Sequence, residues 1–136
     1  MKVFVCCSKA FYGKISPIKA ELEELGHVVT LPNSFDNPTR EFEMHAKGAK
    51  DHSKWKAEMI RLQVEKVQMN DAVLVLNFKK NNQPNYIGGA TFLEMYKAFE
   101  LGKKLFLYNQ IPEGILRDEL LAFNPTLIDQ DISLVR

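Results

Sequence analysis

The residues with the most chemical promise form one stretch, Asn85-Tyr86-Ile87-Gly88-Gly89-Ala90-Thr91-Phe92-Leu93-Glu94, which runs on through Leu101 to Gly102-Lys103. The pattern is that of a helix opened by glycines. Inside a helix glycine costs roughly 1 kcal/mol against alanine, but in the first turn it strips away side chains and bares N–H groups that have no acceptor in the helix. Such a tip can hold a phosphate or a carboxylate. At about 100° per residue, Phe92, Met95, Tyr96 and Phe99 fall on one arc, with Leu93, Lys97 and Glu100 opposite. Glu94 belongs to neither. It falls at the margin, where its carboxylate is placed to face a pocket mouth, and within the first two turns, where the helix dipole favours the ionised form. A carboxylate so placed is a candidate catalytic group. The plain alternative is an acidic residue that favours the dipole and pairs with Lys97 at i+3.

Other chemistries leave little trace. A dinucleotide fingerprint would need G-x-G-x-x-G after the first strand, where the chain has Cys7-Ser8-Lys9-Ala10-Phe11-Tyr12-Gly13, and Gly13-Lys14-Ile15 is not a Walker A loop. Cys6 and Cys7 are the only cysteines. They are too few for a zinc site without histidines at motif spacing, so no metal and no cofactor are expected. Cys7 reads either as an exposed thiol at a site or, more commonly, as a small buried strand residue. His45 and His52 fall in an irregular region that favours solvated or capping roles, and His27 lies at the wrong end of its strand.

The whole chain has 136 residues, 46% of them hydrophobic, which predicts a single domain over 1–136. Eighteen Lys and Arg against 17 Asp and Glu give a net charge of +1, so nothing in the charge argues for a nucleic-acid polymer or a membrane surface as partner. The apolar run Val3 to Cys7 is too short for a signal or spanning segment, and a reduced, cytoplasmic setting is expected.

The elements that must position Glu94 alternate. Lys2 to Cys7 reads as a strand buried on both faces. Ser8 to Ile15 reads as a loop, and Ser16-Pro17 as the start of a helix with Ile18, Leu22 and Leu25 inward and Gly26 as its stop. His27 to Leu31 is a second strand, which completes a β-α-β unit. From Asn33 to about Ser53 the apolar pattern fails, which predicts either a lid or binding segment or a partial helix near Arg40 to Ala49. Asp51 or Ser53 can cap the next helix, with Ile60, Val64 and Val67 as its buried stripe and Trp55 and Met59 beside it. Further strands follow at Asp71 to Phe78, Lys104 to Tyr108 and Thr126 to Ile128, with a helix over Glu113 to Ala122. The pattern is an α/β, doubly wound, five-stranded parallel sheet in the flavodoxin-like order 2-1-3-4-5. Ligands of such sheets bind outside the carboxyl ends of the strands where the order reverses. Cys7, Ser8, Lys9, Asn77 to Lys80, Asn109 and the glycine-opened tip all arrive at that rim, whereas Asp71 begins its strand and is structural.

Four segments together resemble the nucleoside 2-deoxyribosyltransferase superfamily, which includes 2′-deoxynucleoside 5′-phosphate N-hydrolases. They are Cys6-Cys7-Ser8-Lys9-Ala10-Phe11-Tyr12, Gly26-His27-Val28-Val29, Asp71-Ala72-Val73-Leu74-Val75-Leu76-Asn77 and, most specific, Gly88-Gly89-Ala90-Thr91-Phe92-Leu93-Glu94. The resemblance implies that Glu94 attacks the anomeric carbon of a small-molecule nucleoside or nucleotide. The attack passes through an oxocarbenium-like transition state to a glycosyl ester, which an acceptor base or water resolves. It also implies a homo-oligomer. Gly88 and Gly89, with Thr91 as the small hydroxyl residue, would make room for the sugar or a 5′-phosphate. Ser8, Asn77 and Asn85 suit sugar hydroxyls, or in the case of the asparagines serve as turn formers. Phe11 and Tyr12 either stack on a base or pack under the loop. Lys9, Lys79 and Lys80 near the rim either serve a phosphorylated substrate or are, as is more common, plain surface lysines. The family's tyrosine in the first strand and its acidic residue before the glycines are replaced here by Val5 and Asn85, and no second carboxylate is placed to protonate the leaving base unless Asp36 or a neighbouring subunit supplies it. Those departures keep a non-catalytic nucleotide-binding or sensing module as the alternative.

Overall fold

The structure, a computed structural model, describes residues 1–136. Five parallel strands, β1 (Lys2–Cys6), β2 (Val28–Thr30), β3 (Ala72–Val75), β4 (Lys104–Leu107) and β5 (Thr126–Leu127), form one sheet in the order β2-β1-β3-β4-β5. The doubly wound, flavodoxin-like architecture is as expected. β1 is central, pairing Phe4 with Thr30 on one side and with Val73 on the other. Its side chains alternate between the two faces, as a strand must. Val3, Val5 and Cys7 join the core under α1 (Ile15–Glu24), while Phe4 and Cys6 join the opposite core with Val67, Met95, Ala98 and Leu120. That second core is covered by α3 (Ala49–Met69), α4 (Gly89–Glu100) and α5 (Arg117–Phe123).

Several boundaries differ from the sequence reading for local reasons. Ser8 to Ile15 is not an open loop: Lys9–Lys14 forms a 3₁₀ turn that runs directly into α1, so Ser16-Pro17 falls inside the first helical turn instead of opening it. The segment Asn33 to Ser53 contains the partial helix, as α2 (Arg40–Ala46), and it also reaches the cavity described below through Asn33, Ser34 and Glu41. Gly48, at a φ of +111° that side chains avoid, turns the chain into α3 at Ala49, so neither Asp51 nor Ser53 is its cap. α3 buries Trp55, Gln63 and Val67, a stripe turned away from the expected Ile60, Val64 and Val67. α5 begins at Arg117, later than expected.

Asp71, expected to be structural, and His27, expected at the end of its strand away from the rim, both lie at the far end of the sheet. The Asp71 carboxylate accepts a 2.8 Å bond from the Lys2 N–H, and His27 Nδ1 lies 3.2 Å from the terminal amine of Met1. No helix is long and apolar enough to cross a membrane.

Candidate active site

α4 starts at the carboxyl end of the sheet, and its first turn is bare. Gly88, the residue before the helix, offers no side-chain cap, and the first intrahelical acceptor, Gly88 O, is taken by Phe92 N–H at 2.9 Å. The N–H groups of Gly89, Ala90 and Thr91 therefore have no partner within the helix. Neither glycine has a positive φ, so backbone conformation does not demand them. A Cβ at Gly89 would meet nothing within 4 Å, and one at Gly88 would come 3.3 Å from the Tyr86 hydroxyl. What the glycines provide is space in front of the helix tip.

That space is a cavity of about 300 Å³ at the rim between β1 and β3, where the strand order reverses. Its floor holds Glu94, only 6% exposed. Glu94 is not at the margin of α4: it shares the buried face with Thr91, Met95 and Ala98, while Tyr96 and Phe99 of the largely aromatic arc are exposed. The small side chains of Thr91 and Ala98 let this face sit close to its neighbours. The row of Phe92, Tyr96 and Phe99 meets Phe123 of α5 instead. Nor does Lys97 pair with Glu94, because its ammonium bonds Glu100 at 2.6 Å.

Burial also decides the charge. Desolvation pushes the Glu94 carboxyl up from 4.5 to about 7, against the Cys6 thiol, the Gln63 amide and the Lys66 and Lys56 ammoniums, which favour the anion. The helix dipole fades beyond the first turn and does not outweigh this. Ionisation at neutral pH is thus partial, not complete as the helix position alone implied. Lys66 is itself pushed down by burial, with Glu94, Cys6 and Asp36 opposing, and its Nζ donates to Leu31 O at 2.8 Å. Cys7 lines the cavity but is pushed up to about 12, by burial and then by Glu94, and stays a protonated thiol.

Of the residues singled out in the sequence, Ser8, Tyr12, Gly88, Gly89, Thr91 and Glu94 all line this cavity. The Ser8 hydroxyl caps nothing. The Tyr12 hydroxyl donates to Asn33 O at 2.8 Å, and burial holds it protonated. Three others do not line it. Phe11 is core, edge-on to Phe78 at 5.4 Å, because the 3₁₀ turn points it down into the α1 layer. Asn77 is fully buried and spends its amide tying β3 to the segment after β4: Nδ2 donates to Gln110 O and Oδ1 accepts from Asn109 N, both at 2.8 Å. Asn85 occupies a left-handed turn at a φ of 57°, the turn-former role. Lys9 and Lys80 reach the cavity, Lys80 lying 4.7 Å over the Tyr86 ring, whereas Lys79 and Asp36 do not line it.

The residues that sequence reasoning missed come mainly from α2 and α3, as Glu41, Trp55, Lys56, Met59 and Gln63, and also from the segment after β2, as Pro32, Asn33 and Ser34, with Tyr86 and Ala90 beside the glycines. Gln63 left a trace, as the one polar member of the i, i+4 series Trp55, Met59, Gln63, Val67. Glu41 supplies a second carboxylate to the wall. Partial burial would raise it, but His52, Lys56 and Lys9 prevail and hold it down at about 2, so it is an anion. Glu41, His45 and His52 bring one ligand atom each within 4.8 Å of one another. The two imidazoles nevertheless stack face to face, 3.5 Å apart and 16° from parallel, so their in-plane lone pairs do not converge. The Glu41 oxygens are taken by two ammoniums and His52. As arranged, this is an ion-pair network and not a coordination sphere.

Comparison with protein-family models and with curated proteins finds no match.

Proposed function

We propose that the chain cleaves or transfers at the N-glycosidic bond of a nucleoside, deoxynucleoside or nucleoside 5′-phosphate, with Glu94 as nucleophile. The observation that carries this reading is a single carboxylate buried in the floor of a cavity of about 300 Å³, behind a helix tip with bare N–H groups. A cavity of that size suits a small ligand. In the proposed reaction a Glu94 oxygen forms the bond to the anomeric carbon as the bond to the base nitrogen breaks, its electron pair leaving with the base. The departing nitrogen takes its proton from solvent, because Glu41 is already ionised. Water or a second base then displaces Glu94 and restores it. Lys9, Lys56 and Lys80 on the wall, together with the helix tip, favour a substrate that carries a phosphate.

One observation favours the rival reading, a binding or sensing module. Burial pushes the Glu94 carboxyl up to about 7, which favours the protonated, non-nucleophilic form more than an exposed carboxylate would. The two are separated by incubating the chain with deoxynucleosides and their 5′-monophosphates, with and without a second base. Enzymatic cleavage predicts free base, a kcat/KM that rises with pH through about 7, and a loss of roughly a thousandfold or more in Glu94→Ala. Ligand-dependent thermal stabilisation without base release would establish the binding module instead.

A further inference from the structure

We infer that Gln63 is the positioning residue for Glu94, holding the carboxylate in one orientation from the neighbouring helix. The inference rests on the reading of Glu94 as the reacting group. Gln63 is 6% exposed, in the middle of the face of α3 that packs on α4. A buried amide costs several kcal/mol unless its hydrogen bonds are met, so its partners define its place. Its Nε2 donates to Ala90 O at 3.0 Å. By helix geometry Ala90 O is also the acceptor for the Glu94 N–H, four residues on. The Gln63 amide is thereby fixed against the turn that carries Glu94, and both side chains line the same cavity. The second hydrogen on Nε2 is free for a carboxylate oxygen. Donating it leaves the other oxygen to face the cavity, the arrangement a nucleophile requires.

Val5 points into the α1 core, and its neighbour Cys6, which reaches the Glu94 side of the sheet, offers only a weak thiol donor. The titratable groups bearing on Glu94 are Cys6 at the end of β1 and Cys7 just after it, Tyr12 from the 3₁₀ turn, and Lys56 and Lys66 from α3. None of them is altered by replacing Gln63.

The test is the titration of Glu94 followed by carboxyl carbon NMR, in the unsubstituted chain and in Gln63→Met, which keeps length and bulk but removes the donor. A hydrogen bond to a charged group is worth about 1.5–3 kcal/mol, so the midpoint should rise by about one pH unit or more. The acid limb of any base-releasing activity should move with it and recover at higher pH, which a merely structural defect would not do. A midpoint that stays in place overturns the proposal. If Gln63→Met fails to fold, the side-chain amide signal of Gln63 decides in the unsubstituted chain. It should shift with the Glu94 midpoint and become flat in Glu94→Gln, and an amide signal indifferent to pH overturns the proposal. Should no nucleoside release base, the proposed activity fails while these titrations still judge Gln63.

Discussion

Replacing Glu94 with glutamine should make the protein more stable, and only above a defined pH. The folded state raises this carboxyl from 4.5 to about 7. Between those values the folded chain keeps a proton that the unfolded chain has released, so the carboxyl's contribution to stability falls as pH rises through this window and levels off above it. At about 1.36 kcal/mol per pH unit, the loss is about 3 kcal/mol. Glutamine has nearly the same shape, keeps hydrogen-bonding capacity toward Cys6 and Gln63, and carries no charge to desolvate. Below about pH 4.5 the two proteins should be similarly stable; above pH 7 Glu94→Gln should lead by about 3 kcal/mol, or roughly 10 °C in Tm for a chain of this length. Urea unfolding of both proteins at several values from pH 4 to 8.5 measures the difference and cancels every other titrating group. A difference that does not change with pH would refute the claim that burial governs the ionisation of Glu94. A site that sacrifices stability to keep a charged group in place is the expected signature of function.

Other consequences can be checked separately. Gly89→Ala should leave Tm unchanged or slightly raised, because no protein atom lies near the new methyl and alanine favours the helix, yet it should weaken binding of nucleoside monophosphates by roughly tenfold, read by calorimetry. Equal affinity would show that the space before α4 is not used. Glu41→Gln should lower stability at neutral pH by no more than about 1 kcal/mol, since the pairs with Lys9 and Lys56 are partly exposed and screened. Because folding depresses this carboxyl from 4.5 to about 2, its contribution is present above 4.5 and is lost as pH falls towards 2, so the variant and the parent should converge in acid and in high salt. The family resemblance implies a homo-oligomer, and α4 leaves Leu93, Tyr96 and Phe99 at its surface, the last of them 51% exposed. Sedimentation should therefore show a multimer that Phe99→Glu dissociates, and a monomer in the parent chain would remove that part of the proposal.

The order of the strands, the crossover of the sheet and the arrival of Gly88, Gly89 and Glu94 at its carboxyl rim were readable from the sequence alone. They depend on signals that lie close together along the chain: short apolar runs, turn residues and the glycines that open α4. What faces the tip of α4 is a different matter. Periodicity marks the apolar arc of a helix but not which neighbour covers it, so α4 buries Thr91, Glu94 and Ala98 while its aromatic row turns to α5. Asn77 and Phe11 were drawn away from the cavity by partners after β4 and in the α1 core. The contribution of α3, and with it Gln63 and the loss of water around Glu94, exists only once two helices pack. The helix position of Glu94 argued for an anion, and the tertiary structure half reversed that, because the cost of a charge is set by all the atoms that exclude water and not by those nearest along the chain.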